Sequence, residues 1–326
     1  MPTTAMIEAE GLVKRYGPTV ALAGVDFSVP AGAILGVLGP NGAGKTTAIR
    51  ILTTLSHADE GRAWVAGFDV ATHPNEVRRR IGVAAQATTL DELLTGRQNL
   101  VMIGELSGLR RPDARGRAAD LLERMELSEA ADRLTRGYSG GMRRRLDLAA
   151  SMIMAPPVLF LDEPTTGLDP ASRLAVWEVI REMVGRGCTV LLTTQYLDEA
   201  DHLADSIAVV DHGRVIASGT AQQLKAETGA ARLEVTLTTP RPEAVLALQS
   251  LLDGEAHLSH DGRRLRAPVR NQDGLATAAV RALDRAGILV DDVQVHQPSL
   301  DDVFFALTGR ETAEEDADDD DEEATA

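Results

Sequence analysis

Residues Gly39 to Thr47 read Gly-Pro-Asn-Gly-Ala-Gly-Lys-Thr-Thr and contain a complete phosphate-binding loop of the G-x-x-x-x-G-K-[ST] type. The loop follows an apolar, strand-like run at residues 33–38 and precedes a helix-like run that begins at Thr46. Its glycines allow backbone N–H groups to close around phosphates, Lys45 supplies a positive charge, and the Thr46 hydroxyl is a ligand that Mg²⁺ accepts. The sequence therefore predicts a nucleoside triphosphate site, in preference to a glycine-rich turn with a structural role only.

A pair of adjacent acids ends a second apolar, strand-like run, residues 158–161. Asp162 stands at the carboxyl end of this predicted strand, where a carboxylate can orient a Mg²⁺ ion, and Glu163 should point to the other side. A carboxylate in that place can take a proton from an attacking water. We therefore predict Asp162 as a metal ligand and Glu163 as the general base, the alternative being a solvated pair of acids at a strand end.

Residues 138–146, Tyr-Ser-Gly-Gly-Met-Arg-Arg-Arg-Leu, lie between these two motifs. A Ser-Gly-Gly turn at a helix start offers N–H donors and a hydroxyl to an anion. In this order and spacing the three motifs resemble those of ATP-binding cassette (ABC) proteins, and Ser139, Gly140 and Gly141 resemble the signature sequence of that family. The resemblance implies an α/β fold of the P-loop NTPase type, ATP hydrolysis, and ATP and Mg²⁺ as cofactors.

Three further residues resemble functional positions of the family. Tyr16 resembles the aromatic platform for adenine. Gln86 resembles the glutamine that contacts Mg²⁺ and couples the nucleotide to a membrane partner. Asp169 lies in a stretch that resembles the loop by which two cassettes communicate. Taken alone, each has a plain alternative: packing, a strand-end cap and a turn. By this resemblance we expect Mg²⁺ to be held by Thr46, Gln86 and Asp162, and ATP to be bound by Tyr16, Gly39, Pro40, Asn41, Gly42, Ala43, Gly44, Lys45, Thr46, Thr47, Gln86, Ser139, Gly140, Gly141 and Asp169.

One position departs from the family pattern. Where the family usually has a histidine near the γ-phosphate, after the predicted strand at residues 189–194, this chain has Gln195. An amide can donate a hydrogen bond but cannot carry a proton or a positive charge. We assign catalysis to Glu163 and Gln195 and expect it to depend more on Glu163. The run at residues 194–200 also resembles that of drug-export cassettes of the daunorubicin/doxorubicin-resistance type.

The composition indicates a protein without a membrane span of its own. The chain has 326 residues, of which 44% are hydrophobic, enough for two domains. No run approaches the roughly 18 apolar residues of a transmembrane helix, and residues 1–4 lack the features of a signal peptide. The single cysteine, Cys188, cannot form an internal disulfide, and its strand-like context predicts burial. We therefore expect a protein made and kept in the cytosol, and the resemblance implies a peripheral position on the cytoplasmic side of the cell membrane.

The formal net charge of −16 is concentrated at one end of the chain. Residues 311–326 contain ten acidic residues and no basic one, a composition that predicts a disordered acidic tail. The tail would be repelled by nucleic acid, and both a solubilising and a regulatory role remain open for it. The runs Arg78-Arg79-Arg80 and Arg143-Arg144-Arg145 lack interleaved aromatic residues, so we interpret them as solvated helix faces and expect no nucleic acid partner.

The order of the predicted elements divides the chain into domains. Alternating strands and helices predict a parallel core sheet, and the resemblance implies that residues 1–230 form the ABC cassette, with an antiparallel β layer and a helical subdomain at about residues 95–155. Residues 231–310 follow a β-α-β-β-α-β order, which predicts a small C-terminal α+β domain of the ferredoxin-like type, and the resemblance implies an accessory or regulatory role for it. Core positions of the helical subdomain are predicted at Leu100, Ile103, Leu106, Leu109, Leu121, Leu122 and Met125.

The resemblance extends over almost all of the chain outside the tail and implies a mechanism. Two copies of the cassette would sandwich two ATP molecules, each between the Lys45 loop of one chain and the Ser139 turn of the other. A separate integral membrane permease subunit would be needed for transport. We predict the ATPase subunit of an exporter of drugs, antibiotics or other hydrophobic small molecules. The alternatives are the same ATPase serving a lipid or glycan cargo and, less favoured because the chain has one motif set and no long insertion, a soluble ABC ATPase outside transport.

Overall fold

The structure is a computed structural model that describes residues 5–85, 90–228, 231–259, 261–269, 274–296 and 299–308. The chain divides into two compact units between Ala221 and Gln222, earlier than the boundary predicted after residue 230. A helix spans Ala221–Thr228 and the next strand begins only at Ala231, so the strand pattern that set the prediction starts beyond the division. The predicted acidic tail, residues 311–326, lies outside the described residues.

Two sheets form the framework of the first unit. An antiparallel sheet has the order β2-β1-β4-β5, and a second sheet has the order β10-β9-β3-β8-β7-β6, in which only the β9–β10 pair is antiparallel. The strands of both sheets, in chain order, are β1 (Ala5–Tyr16), β2 (Thr19–Pro30), β3 (Ile34–Leu38), β4 (Glu60–Val65), β5 (Phe68–Asp69), β6 (Ile81–Ala84), β7 (Val158–Asp162), β8 (Thr189–Thr194), β9 (Ser206–Asp211) and β10 (Arg214–Gly219). Every residue of β3, β7 and β8 is buried, as expected for parallel strands covered on both faces. The α/β fold class predicted from the sequence is confirmed.

Helices cover the second sheet and form the predicted helical region. They are α1 (Lys45–Leu52), α2 (Pro74–Arg78), α3 (Gly96–Leu106), α4 (Arg111–Arg124), α5 (Gly140–Ser151), α6 (Pro170–Gly185) and α7 (Leu197–Leu203). The next helix, α8 (Ala221–Thr228), lies almost wholly in the second unit. Thr95 begins α3 with a capping box, because its hydroxyl accepts from the Gln98 N–H while the Gln98 side chain accepts from the Thr95 N–H. Cys188, just before β8, is buried as predicted, and burial raises the pKa of its thiol to about 11.

The core stripe predicted for the helical subdomain is wrong at one position. Leu100 is fully buried, and Ile103 and Leu109 pack against the core, but Leu106 is 80% exposed. At 3.6 residues per turn, six residues along a helix rotate the side chain by about 120° away from its starting direction. Leu106, the last residue of α3, therefore lies off the face that Leu100 defines. Leu121, Leu122 and Met125 are buried as predicted.

The second unit has its own sheet and its own core. The strands are β11 (Ala231–Leu237), β12 (His257–Leu258), β13 (Arg264–Val269) and β14 (Val290–His296), and the helices α9 (Ala244–Leu248), α10 (Leu275–Arg285) and α11 (Leu300–Thr308). The sheet order is β12-β13-β11-β14, with every neighbouring pair antiparallel. The β-α-β-β-α-β order predicted from the sequence is thus present. Among the described residues of both units, no helix combines the length and apolar character needed to cross a bilayer.

Candidate functional site

The phosphate-binding loop connects β3 to α1 and is held by backbone contacts. Gly44 has a φ of +109°, a conformation that glycine adopts readily and other residues rarely do. A Cβ atom at this position would also overlap the Ala21 carbonyl oxygen. The Ala43 carbonyl accepts from the Gly213 N–H at 3.0 Å, which fixes the loop to the β9–β10 turn. Since α1 begins at Lys45, its free N–H groups and the positive end of its dipole face the loop.

Lys45 is the buried cation of this site. Its Nζ donates to the carbonyls of Gly39 at 2.6 Å and Pro40 at 3.1 Å and lies 3.6 Å from Glu163 Oε1. Burial lowers the pKa of Lys45, while the charge of Glu163 opposes this change. The ammonium group is therefore held inside the loop next to the predicted general base.

Asp162 lies at the end of β7 and contacts two hydroxyl groups. Its Oδ1 accepts from Thr193 Oγ1 at 2.6 Å and from Thr46 Oγ1 at 3.3 Å. Sequence reasoning predicted Thr46 and Asp162 but missed Thr193, which the parallel register of β7 and β8 places opposite Asp162. Hydroxyl and carboxylate oxygens are the ligands that Mg²⁺ prefers. Thr46 and Asp162 thus fit the predicted metal site.

Glu163 has an unusual backbone conformation. Its φ is +49°, a left-handed conformation that costs a residue with a Cβ about 1–2 kcal/mol. The Glu163 N–H donates to the Thr193 carbonyl at 3.1 Å, and Thr166 Oγ1 donates to Glu163 Oε2 at 3.4 Å. The turn directs the carboxylate toward Lys45, on the side where the phosphate loop lies.

The Ser139 turn begins helix α5. Ser139 is the N-cap, and its Oγ accepts from the Met142 N–H at 3.2 Å. Because a hydroxyl both accepts and donates, this cap leaves the Ser139 proton available to an anion. Both Ser139 and Gly140 are exposed. A cavity of about 310 Å³ is lined by Gly140, Arg143, Arg144, Glu163, Thr166, Gly167 and Leu168.

The interpretation of Arg143-Arg144-Arg145 as a solvated helix face is wrong for Arg144 and also for Arg145, whose side chain is 16% exposed and donates to the Met125 carbonyl. The Arg144 side chain is only 12% exposed and donates to the carbonyls of Ala85, Asp162, Glu163 and Pro164. Burial lowers the pKa of this guanidinium group. Arginine can satisfy several acceptors at once through its planar set of donors, a use that a run of arginines does not reveal in the sequence.

The remaining predicted site residues are found in different settings. Tyr16, at the end of β1, is half-exposed, with Lys14 Nζ 5.4 Å from its ring centroid. Gln195 is exposed directly after β8. Asp169 caps α6 by accepting from the Ser172 N–H and hydroxyl, and these bonds lower its pKa. Gln86 lies outside the described residues.

Comparison with known proteins gives both family and structural matches. Residues 22–166 match the family model described as "ABC transporter". The chain is 53% identical to a daunorubicin resistance ATP-binding protein of Streptomyces coeruleorubidus, over 94% of this chain and 96% of that one. It is 39% identical to the Nod factor export ATP-binding protein I of Ralstonia nicotianae, over 95% of each chain. Among solved structures, an ATP-binding subunit of an ABC transporter matches with a TM-score of 0.62 and 28% identity, over 68% of this chain and 92% of that one.

Proposed function

The chain belongs to the ABC transporter family of ATP-binding proteins, and from this premise we propose that its ATPase activity powers the export of drugs or other hydrophobic small molecules through a separate membrane subunit. The observation that carries the proposal is that Lys45 and Thr46, at the start of α1, meet Asp162 and Glu163, at the end of β7. Such a cluster combines a phosphate cradle, oxygen ligands for a metal and a positioned carboxylate.

ATP binding would use the phosphate loop and its lysine. The backbone N–H groups of Gly39 and residues 41–45 would surround the β- and γ-phosphates, and Lys45 would exchange its bonds to the Gly39 and Pro40 carbonyls for phosphate oxygens. Tyr16, half-exposed at the end of β1, provides a face on which adenine can stack. Thr46 and Asp162 would hold Mg²⁺, with Gln86 as a further ligand, and a bound Mg²⁺ would neutralise charge on the phosphate oxygens.

Hydrolysis would depend on Glu163 and Gln195. The Glu163 carboxylate orients a water molecule for attack on the γ-phosphate and takes its proton. Gln195, exposed at the end of β8, donates an amide hydrogen bond to the γ-phosphate where the family usually has a histidine. A nearby Lys45 ammonium, 3.6 Å from Glu163, balances the negative charge that gathers during the reaction.

A complete site would require a second copy of the chain. Ser139 and Gly140 are exposed at the start of α5 and Gly141 is partly buried, and the donors of these three residues would bind the γ-phosphate held by the partner's phosphate loop. Asp169, at the start of α6, would lie in the loop that contacts the partner. This ATP-dependent homodimer would act at the cytoplasmic side of the membrane, bound peripherally to the permease.

The cargo is proposed from the names of the relatives. The relatives with 53% and 39% identity are named for daunorubicin resistance and for Nod factor export, and the higher identity favours a drug as the exported compound. Export of another cargo, such as a lipid or glycan, by the same ATPase is the second candidate, and the relative named for Nod factor export is consistent with a cargo other than daunorubicin. The site geometry serves both candidates equally, because it acts on ATP.

Co-purification from native membranes tests the transport function. Tagged Glu163→Gln protein would be isolated from detergent-solubilised membranes with and without ATP, and its partners identified by mass spectrometry. We expect an integral membrane protein with several segments of about 20 apolar residues, and efflux of daunorubicin from cells that express both chains. Recovery of ribosomal or DNA-bound material instead would overturn the proposal.

A further inference from the structure

Arg144 connects the helix that begins at the Ser139 turn to the loop that carries the acid pair. Its Nε donates to the Pro164 carbonyl at 2.9 Å, and its Nη1 donates to the Ala85 carbonyl at 2.8 Å. Its Nη2 donates to the carbonyls of Asp162 at 2.8 Å and Glu163 at 2.9 Å. One side chain on α5 thus binds the ends of β6 and β7 at four points.

These bonds fix the backbone on which Glu163 depends. Carbonyls at the end of a strand have left the sheet ladder and need other donors when buried. Glu163 is held in its left-handed conformation by Thr193 on its N–H side and by Arg144 on its carbonyl side. A strained backbone conformation of this kind persists only where several surrounding contacts hold it in place. Arg144 is therefore one of the groups that aim the Glu163 carboxylate.

Arg144 is not placed to act as a phosphate ligand. Nε, Nη1 and Nη2 all donate to carbonyls, and Nη1 also lies 3.5 Å from Asp147 Oδ2. Reaching a phosphate would require breaking several of these bonds at once, in a buried setting where unpaired groups cost about 1–3 kcal/mol each. Arg144 therefore links α5 to the main chain at the ends of β6 and β7 and does not bind phosphate.

Arg144 lies between two groups, Glu163 and Ser139, that would act on different nucleotides. In the proposed homodimer, on which this inference rests, Glu163 acts on the ATP bound by its own chain, whereas Ser139 acts on the ATP bound by the partner. Arg144 lies on α5, about one and a half helical turns from the N-cap Ser139, so a shift of the acid loop moves the Ser139 turn with it. We propose that Arg144 is a positioning residue that aims Glu163 and couples the two nucleotide sites of the dimer.

Kinetics of the full chain test this role. We compare Arg144→Lys and Arg144→Met with Arg145→Gln, a control on the same helix whose arginine contacts Met125 and Glu126 instead. Initial ATPase rates are measured against ATP concentration for each protein, and ATP binding is measured at equilibrium. The wild type is expected to hydrolyse ATP with a Hill coefficient above one.

Both Arg144 variants should lower kcat, by up to roughly 10²-fold if Glu163 is misplaced by about 1 Å, and should bring the Hill coefficient to about one with ATP affinity unchanged. Lysine keeps the charge but lacks the planar set of donors, so Arg144→Lys should not restore cooperativity. Arg145→Gln should keep both values. A role in folding alone would lower the amount of active protein without changing the Hill coefficient.

Several results would overturn the coupling role. These are a wild-type Hill coefficient of one, wild-type kcat and cooperativity in both Arg144 variants, and failure of both variants to fold, which would assign Arg144 to structure alone. In each of these cases ATP turnover by the wild type leaves the proposed function intact. A wild type that binds and hydrolyses no ATP would overturn the proposed function and the coupling together.

Discussion

The indole N–H of Trp177, on α6, donates to Oε1 of Glu199, on α7, at 3.1 Å in the protein interior. Thr165 Oγ1 donates to the same oxygen at 2.9 Å. The Glu199 carboxyl group thus joins the loop after the acid pair to two helices, close in sequence to Gln195. Burial raises the pKa of Glu199 despite these donors, because a carboxylate is costly to keep away from water.

The raised pKa of Glu199 predicts that the stability difference between wild type and Glu199→Gln depends on pH. Below the unfolded-state pKa of 4.5 the Glu199 carboxyl group is protonated in both the folded and the unfolded state. Its stabilising contribution to the free energy of unfolding then has its full value. As pH rises through the folded pKa this contribution is lost, because the folded state binds the proton more tightly. In Glu199→Gln the titration is removed.

We therefore expect the free energy of unfolding of Glu199→Gln, relative to wild type, to increase with pH from about 4.5 and to level off above the folded pKa. Urea denaturation of both proteins at a series of pH values measures this difference. A relative stability that is flat or decreases over that range would show that Glu199 is not buried as an acid with a raised pKa.

Replacing Glu163 separates catalysis from binding. The amide of Glu163→Gln has the shape of the carboxyl group but cannot take a proton from water, so kcat should fall by about 10²–10⁴-fold. ATP affinity should be retained, because the loop and Lys45 are unchanged and the carboxylate that pairs with Lys45 at 3.6 Å no longer competes with phosphate.

Lys45→Ala is the matched contrast, since it removes the cation of the same pair and should weaken ATP binding itself. Nucleotide binding at equilibrium and steady-state turnover would be measured on both variants. Near-normal turnover in Glu163→Gln would refute the general base assignment.

The sequence predicts the parts of this site that are encoded by local motifs. The phosphate loop, Asp162 and Glu163 are recognisable from glycine spacing and from acids at the end of an apolar run, and the structure brings them together as expected. Thr193 and Arg144 were missed, because their partners lie on other strands and are mostly main-chain atoms. Contacts of that kind depend on strand register and on the approach of α5 to the sheet, which no residue pattern along the chain expresses.

Gln195 predicts an ATPase pH profile without a contribution from a histidine at this position. Its amide does not titrate, whereas an ordinary histidine has a pKa of about 6.5. Gln195→Ala should lower kcat, by up to roughly 10²–10³-fold if the amide donates to the γ-phosphate in the transition state, without changing the shape of the profile. Gln195→His should add a limb in the region of the histidine pKa. A histidine-like limb in the wild type that disappears in Gln195→Ala would contradict this assignment.

Alanine substitutions at Leu100 and Leu106, two positions of the apolar stripe predicted for α3, should differ in their effect on stability. Leu100 is fully buried, so Leu100→Ala should lower the free energy of unfolding by about 2–5 kcal/mol through lost burial and a residual cavity. Leu106 is 80% exposed, so Leu106→Ala should change it by no more than about 0.5 kcal/mol. Urea denaturation of the two variants under the same conditions makes the comparison. Both variants carry the same Leu→Ala change, whose helix-propensity effect is below about 0.5 kcal/mol, so a difference of several kcal/mol reports burial. Equal losses would mean that Leu106 belongs to the core, as its spacing in the sequence first indicated.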